Sequence, residues 1–223
     1  MLADDFLLLA LADDGTNRAG EVQLHYGLAG AVLLDLVLAG RIDLDGERIA
    51  VRDATPTGDP IADDALDRIA AADQPRTPDE WLRPLTDGLR DRVIERQVEA
   101  GVLRRQDDRV LWVFPRTRYP SATGTEPAAE TEVRRELAAA VDGAGAVPAR
   151  AAALLGLVQA TGLVGEVLPG RPGPQLHARL AEIADGNWAA AAVRVTIARI
   201  QAVVASMAAI TAATAATTTI ITS

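Results

Sequence analysis

The chain contains neither cysteine nor lysine. The first absence excludes disulfides, thiolate metal sites and cysteine nucleophiles. The second leaves arginine as the only basic side chain, a habit consistent with a GC-rich genome. Bases are also outnumbered: 22 basic residues against 31 acidic ones give a formal net charge of −9. That is the wrong sign for general nucleic-acid binding, which needs a basic field. Histidines are two, His25 and His177, and no metal-ligand spacing relates them. No glycine-rich phosphate loop follows a strand, and no nucleophile elbow occurs. The paired acids Asp13-Asp14, Asp63-Asp64 and Asp107-Asp108 read as helix ends, first turns and a hairpin turn rather than acid–base dyads. The expectation is no metal, no cofactor and no enzymatic activity. No positively charged leader precedes an apolar stretch at the N-terminus, so a secretory signal is not expected.

What is present is ordinary globular composition: 223 residues, 49% hydrophobic and 24% charged. This suits one soluble domain over 1–223, with a Thr-rich tail at 212–223 expected to fray. The fold class expected is mainly α, a single helical domain with two small β-hairpins. Its organising pattern occurs twice, an apolar helix running into a hairpin. Leu28–Ala39 leads through Gly40 into Ile42–Val51, and Leu89–Ala100 leads through Gly101 into Leu103–Phe114. Glycine after each helix suits a left-handed cap, and Asp45-Gly46 and Asp107-Asp108 are the expected hairpin turns. In the first hairpin, Ile42, Leu44, Ile49 and Val51 alternate with polar residues, so one face is buried. In the second, the return strand Val110-Leu111-Trp112-Val113-Phe114 is apolar on both faces and needs cover from core, a second subunit or a membrane.

Other segments read as helices at Ala3–Ala12, Ile61–Ala72, a short one opened by Thr77-Pro78-Asp79-Glu80, Ala128–Val141, Ala149–Ala160, Leu176–Ala184 and Trp188–Thr211. Pro115–Pro127 reads as a connector. Residues 200–223 carry no charge, which raises a membrane span. Their Ala and Thr drive insertion weakly, so a packed core helix is the better reading.

Four blocks stand in order: Asp4-Asp5-Phe6-Leu7-Leu8-Leu9-Ala10-Leu11; Gly27–Leu36 running into Gly40-Arg41-Ile42; Pro56-Thr57-Gly58-Asp59-Pro60 before Leu66; and Leu89-Arg90-Asp91-Arg92 leading to Val98–Leu103. Together they resemble the Golgi phosphoprotein 3 family and its bacterial relatives. The resemblance covers about 3–115 well and the remainder only as apolar helices. It implies a mostly helical domain that binds membranes peripherally, recognises phosphatidylinositol 4-phosphate in eukaryotic members, and links membrane to protein partners. It also implies that the apolar hairpin, here Val110, Leu111, Trp112, Val113 and Phe114, inserts into the bilayer beside a basic pocket. Of four pocket positions only Arg90 matches; Gly20, Ala29 and Asp87 stand where the family has Trp, Arg and Arg.

The expected function is therefore peripheral binding to anionic or phosphoinositide lipid, as an adaptor or scaffold on the inner, cytoplasmic face of a membrane. The candidate headgroup residues are Arg90, Arg92 and Arg18, and the protein partner is unknown. Arg90 and Arg92 could equally pair with Asp87, Asp91 or Glu95 on their own helix. The alternative is a cytosolic interaction module that forms a homo-oligomer through the second hairpin, with no lipid role. A helix before a hairpin also suggests a winged-helix DNA binder, but Leu28–Ala39 is too apolar for a major groove and the second helix balances arginines with acids. Trp81 and Trp188 are expected to be core anchors.

Overall fold

A computed structural model describes residues 1–110 and 114–185, and Val195, Ile197, Ala198, Arg199, Ala202 and Val203 beyond them; for 108–110 and 114–116 it describes the backbone alone. Nine helices and two separate antiparallel hairpins occur among the described residues. They are α1 (Leu2–Ala10), α2 (Glu21–Leu38), β1 (Ile42–Asp45), β2 (Arg48–Val51), α3 (Pro60–Ala70), α4 (Pro78–Leu85), α5 (Leu89–Glu99), β3 (Gln106–Val110), β4 (Phe114–Arg118), α6 (Ala128–Asp142), α7 (Ala149–Ala160), α8 (Val164–Val167) and α9 (Gly173–Asp185).

The centre is α2. Helices α1, α3, α4, α5 and α7 pack around it, and Leu24, Leu28, Ala29, Ala31, Leu33, Leu34 and Leu36 are fully buried. It alone among the described residues is long and apolar enough to cross a membrane, and its burial makes it the core helix. It begins seven residues before Leu28, because Leu24 and Gly27 turn inward among polar neighbours that hide the periodicity. Gly27 admits the Phe6 ring, which a Cβ there would approach to 2.3 Å. Glycine costs a helix about 1 kcal/mol relative to Ala, whereas each large side chain buried returns about 1.5–3 kcal/mol. Close packing of α1 on α2 therefore outweighs the propensity cost.

Helix α1 is oriented by α2 as well: the Leu2 N–H donates to both oxygens of Asp35, at 2.9 and 3.1 Å. Burial pushes the Asp35 carboxyl up to about 6, against the lowering effect of that hydrogen bond. The Asp59 carboxylate accepts from the Ile61 and Ala62 N–H groups and caps α3, with Pro60 at the first helical position. Glu80 accepts from the Thr77 N–H at 2.8 Å and opens α4 as the sequence predicts. Trp81 is buried, as expected of an anchor.

The first hairpin pairs Ile42 with Val51 and Asp45 with Arg48. The reversal is thus Gly46-Glu47, one residue later than the expected Asp45-Gly46; Gly46 takes φ 61° there. β1 leans on α2 and β2 on α3. Of the residues expected in the core, Leu33, Leu34, Leu36, Leu154, Leu155 and Val158 are buried, and Val37 is half-buried against them. Ile197 is buried against Gly156 of α7, and Arg199 pairs with Glu47 at 2.9 Å. Trp188, most of 200–223 and the tail at 212–223 lie outside the described residues.

Candidate membrane-contact hairpin and headgroup site

The second hairpin departs from expectation in its register. Gln106 pairs with Arg118, Asp107 with Thr117, Asp108 with Arg116, Arg109 with Pro115 and Val110 with Phe114. Asp107 and Asp108 are therefore strand residues, not the turn. Val110 closes β3 and Phe114 opens β4, so the five-residue apolar stretch is not a return strand, and the first four residues of the expected connector are the rest of β4. Leu111, Trp112 and Val113, and the side chains of Val110 and Phe114, lie outside the described residues. The acids misled because Asp is depleted in strands and enriched in turns; here Asp107 is exposed and accepts from the Thr117 hydroxyl at 2.8 Å.

Unlike the first hairpin, β3 and β4 pack chiefly on each other. The pair is fixed at its root. Leu103 bridges to Ser121, the Arg104 N–H donates to the Pro120 carbonyl at 2.9 Å, and the Tyr119 N–H donates to the Gly15 carbonyl at 3.3 Å. Arg118 reaches Asp14 at 3.4 Å. Gly15 is required at this contact: its φ is +76°, and a Cβ would lie 2.3 Å from the Pro120 nitrogen. The loop after α1 thus clamps the base of the hairpin.

The three candidate arginines have different surroundings. Arg92 donates to Asp64 at 2.8 Å and to the Pro60 carbonyl at 3.2 Å, which ties α5 to α3 rather than to a ligand. Arg18 lies between Asp13, at 3.6 Å, and the buried Glu130, at 3.8 Å. Burial raises the Glu130 carboxyl above its ordinary value, and Arg134 supports it from 2.7 Å. Both arginines are engaged by acids within the fold. Arg90, in the first turn of α5, pairs only with its neighbour Asp91, at 3.3 Å among the described residues, and its guanidinium lies 6.0 Å from the Tyr119 ring centre. Its Nε is buried with no hydrogen-bond partner among the described residues.

The structure therefore brings Arg90 to the hairpin root and leaves Arg18 and Arg92 with intramolecular roles. The remaining pocket positions supply nothing cationic. Gly20 is the exposed residue preceding α2, Ala29 is fully buried, and Asp87 is exposed. Sequence reasoning missed Tyr119, which joins Arg90 to the hairpin; its one signal was being a rare aromatic in a chain with two tyrosines. Among the described residues no group of His, Asp and Glu is arranged to hold a metal ion. A family model described as Golgi phosphoprotein 3 (GPP34) matches residues 2–200.

Proposed function

The chain belongs to the Golgi phosphoprotein 3 (GPP34) family, and from that premise we propose that it is a peripheral membrane-binding adaptor that docks through its second hairpin. The observation supporting this reading is the register Val110↔Phe114. The hairpin's two strands pack chiefly on each other, and the apolar residues Leu111-Trp112-Val113 lie between them in the sequence. An apolar connection is poor turn chemistry for water and good chemistry for a bilayer surface, where Trp partitions well. The acids that would have opposed insertion at the turn are instead three and four residues back from Leu111. Full burial of a large apolar side chain contributes about 1.5–3 kcal/mol, so partial insertion of three gives about 3 kcal/mol, or roughly a hundredfold in partitioning. Arg90 is the one family pocket residue retained, so an anionic headgroup is engaged with little selectivity. The site of action on this reading is the cytoplasmic face of a membrane, with a protein partner still to be identified, and no catalytic role.

Co-sedimentation with liposomes tests it. Leu111→Ser with Trp112→Ser should cut binding strongly while circular dichroism and the sedimentation coefficient stay unchanged. If the double variant binds liposomes normally but loses an oligomer, the hairpin is a subunit contact and the self-association alternative replaces the membrane reading.

A further inference from the structure

The first hairpin has an outer edge that is only partly covered. The Arg52 N–H donates to the Arg41 carbonyl at 2.8 Å, which makes Asp43 with Ala50 and Asp45 with Arg48 the hydrogen-bonded pairs of the ladder. Ile49 and Val51 therefore turn their own N–H and C=O groups away from β1. The Ile49 N–H finds the Arg76 carbonyl at 2.8 Å, and the Arg48 side chain donates to the Pro75 carbonyl, so the segment before α4 runs along this edge. It stops short of Val51, whose N–H has no acceptor among the described residues. Val51 lines a cavity of about 310 Å³. Ile49, Ile69 and Trp81 are its buried walls, while Ala72 and Pro75 lie nearer the surface.

Two side chains beside this cavity lack a partner. Trp81 is 4% exposed, and its indole N–H, which can only donate, has no acceptor among the described residues. A buried donor left unpaired is costly. Arg76 is exposed and rests its guanidinium over the Trp81 ring, 4.9 Å from the centre. That guanidinium makes no hydrogen bond or ion pair among the described residues. We propose that the cavity is a binding site for a small monocarboxylate with a compact apolar body, its carboxylate accepting from the Trp81 indole and met by Arg76. The walls select this class. Both unpaired side chains are donors, so the ligand brings the acceptors. One of the two is a cation, so one negative charge is matched. The acids nearby disfavour a polyanion: Glu80 accepts from the Thr77 N–H, Asp79 faces Arg199 at 3.9 Å, and Asp73 is exposed. Apart from Gln74, the remaining lining is apolar and suits an apolar body. The volume is at the small end of ligand sites, which run to about 300–1,000 Å³, so that body is small.

The test titrates the full chain with hexanoate and with benzoate and follows the indole N–H resonance of Trp81, assigned by its loss in Trp81→Phe. At least one of the two acids should move that resonance downfield and saturably, as a new hydrogen bond does. Arg76→Gln should weaken the acid about tenfold, the scale of one hydrogen bond to a charged group. Its circular dichroism should match wild type, because Arg76 is exposed. The neutral counterparts hexanamide and benzamide should bind wild type about tenfold more weakly than the acids, and Arg76→Gln should not weaken them further. Ala72→Leu, which fills the cavity from its half-buried rim, should abolish the shift. The proposal is overturned if neither acid gives a saturable shift, if an amide binds as tightly as its acid, or if Arg76→Gln binds the acid as wild type does. A saturable shift that persists in Ala72→Leu places the ligand elsewhere and overturns it as well. Liposome binding is read separately, through Leu111 and Trp112, and stands or falls on its own.

Discussion

Arg96 donates through Nη1 to Asp59 at 2.7 Å, joining the middle of α5 to the residue that caps α3, 37 positions earlier. The same guanidinium donates through Nε to Asp4 on α1 at 2.9 Å, and Gln97 adds a second donor to Asp4 at 2.7 Å. One arginine thus links three helices through side chains that are each less than a third exposed. Removing it leaves two shielded carboxylates facing each other. Hydrogen bonds to charged groups are worth about 1.5–3 kcal/mol, so Arg96→Ala should lower stability by about 2–3 kcal/mol and the thermal midpoint by about 5–10 °C. Arg135→Ala, at an exposed pair, should leave the midpoint unchanged. Calorimetry of the two variants checks the contrast.

Two of the family blocks, Asp4-Asp5 and Thr57-Gly58-Asp59, meet through Arg96. That meeting was not readable from the chain, because no periodicity reports contacts 92 residues apart. What was readable were features with local causes: the Gly40 and Gly101 helix ends, the Pro78 helix start and the apolar faces of α2 and α7. Boundaries failed where local chemistry pointed elsewhere. The polar start of α2 hid its first two turns, and aspartates in β3 imitated a turn. At the site, Arg90 was legible from its motif. The engagement of Arg18 by Glu130 and of Arg92 by Asp64 was not, since each acid comes from a distant helix.

Asp35 gives the fold a pH signature. Its folded carboxyl is raised to about 6, chiefly by burial, from an ordinary 3.8. A raised acid favours the folded state most when protonated. Its contribution is fully present below about 3.8 and lost as pH rises through about 6, amounting to about 3 kcal/mol at most. Asp5 and Glu130 are raised in the same direction, so the difference between wild type and Asp35→Asn isolates this group. Urea midpoints measured between pH 4 and pH 7 should fall less steeply with rising pH in Asp35→Asn, with the variant at least as stable as wild type at pH 7. Parallel curves would refute the assignment.

Gly27 tests how tightly α1 sits on α2. By helix propensity alone, Gly27→Ala should stabilise by about 1 kcal/mol. The added methyl would meet the Phe6 ring at 2.3 Å, and Phe6 is fully buried and cannot retreat. Overpacking costs about 1–3 kcal/mol, so the net effect should be destabilising. Phe6→Leu in the Gly27→Ala background should be less harmful than Phe6→Leu alone, a coupling visible in a double-mutant cycle. Additive effects would place the two side chains apart.

On the proposed membrane reading, headgroup selectivity follows from what surrounds Arg90. A tenfold preference for one anionic lipid over another of equal charge needs about 1.4 kcal/mol, which several convergent donors supply. A single arginine in screened water contributes about 0–1 kcal/mol, and Asp91 at 3.3 Å competes for it. Gly20 and Ala29 offer no side-chain donor, and Asp87 carries the wrong charge three residues before Arg90. At matched surface charge, vesicles containing phosphatidylinositol 4-phosphate should therefore outcompete phosphatidylglycerol vesicles by less than tenfold. Asp87 is exposed and precedes α5, so Asp87→Arg can be accommodated; it exchanges a repulsive charge for an attractive one beside Arg90. That variant should raise the preference several-fold through a slower dissociation rate, and Asp87→Asn should raise it by a smaller step. A wild type that already discriminates tenfold or more, or an Asp87→Arg variant with an unchanged ratio, would place the headgroup away from Arg90.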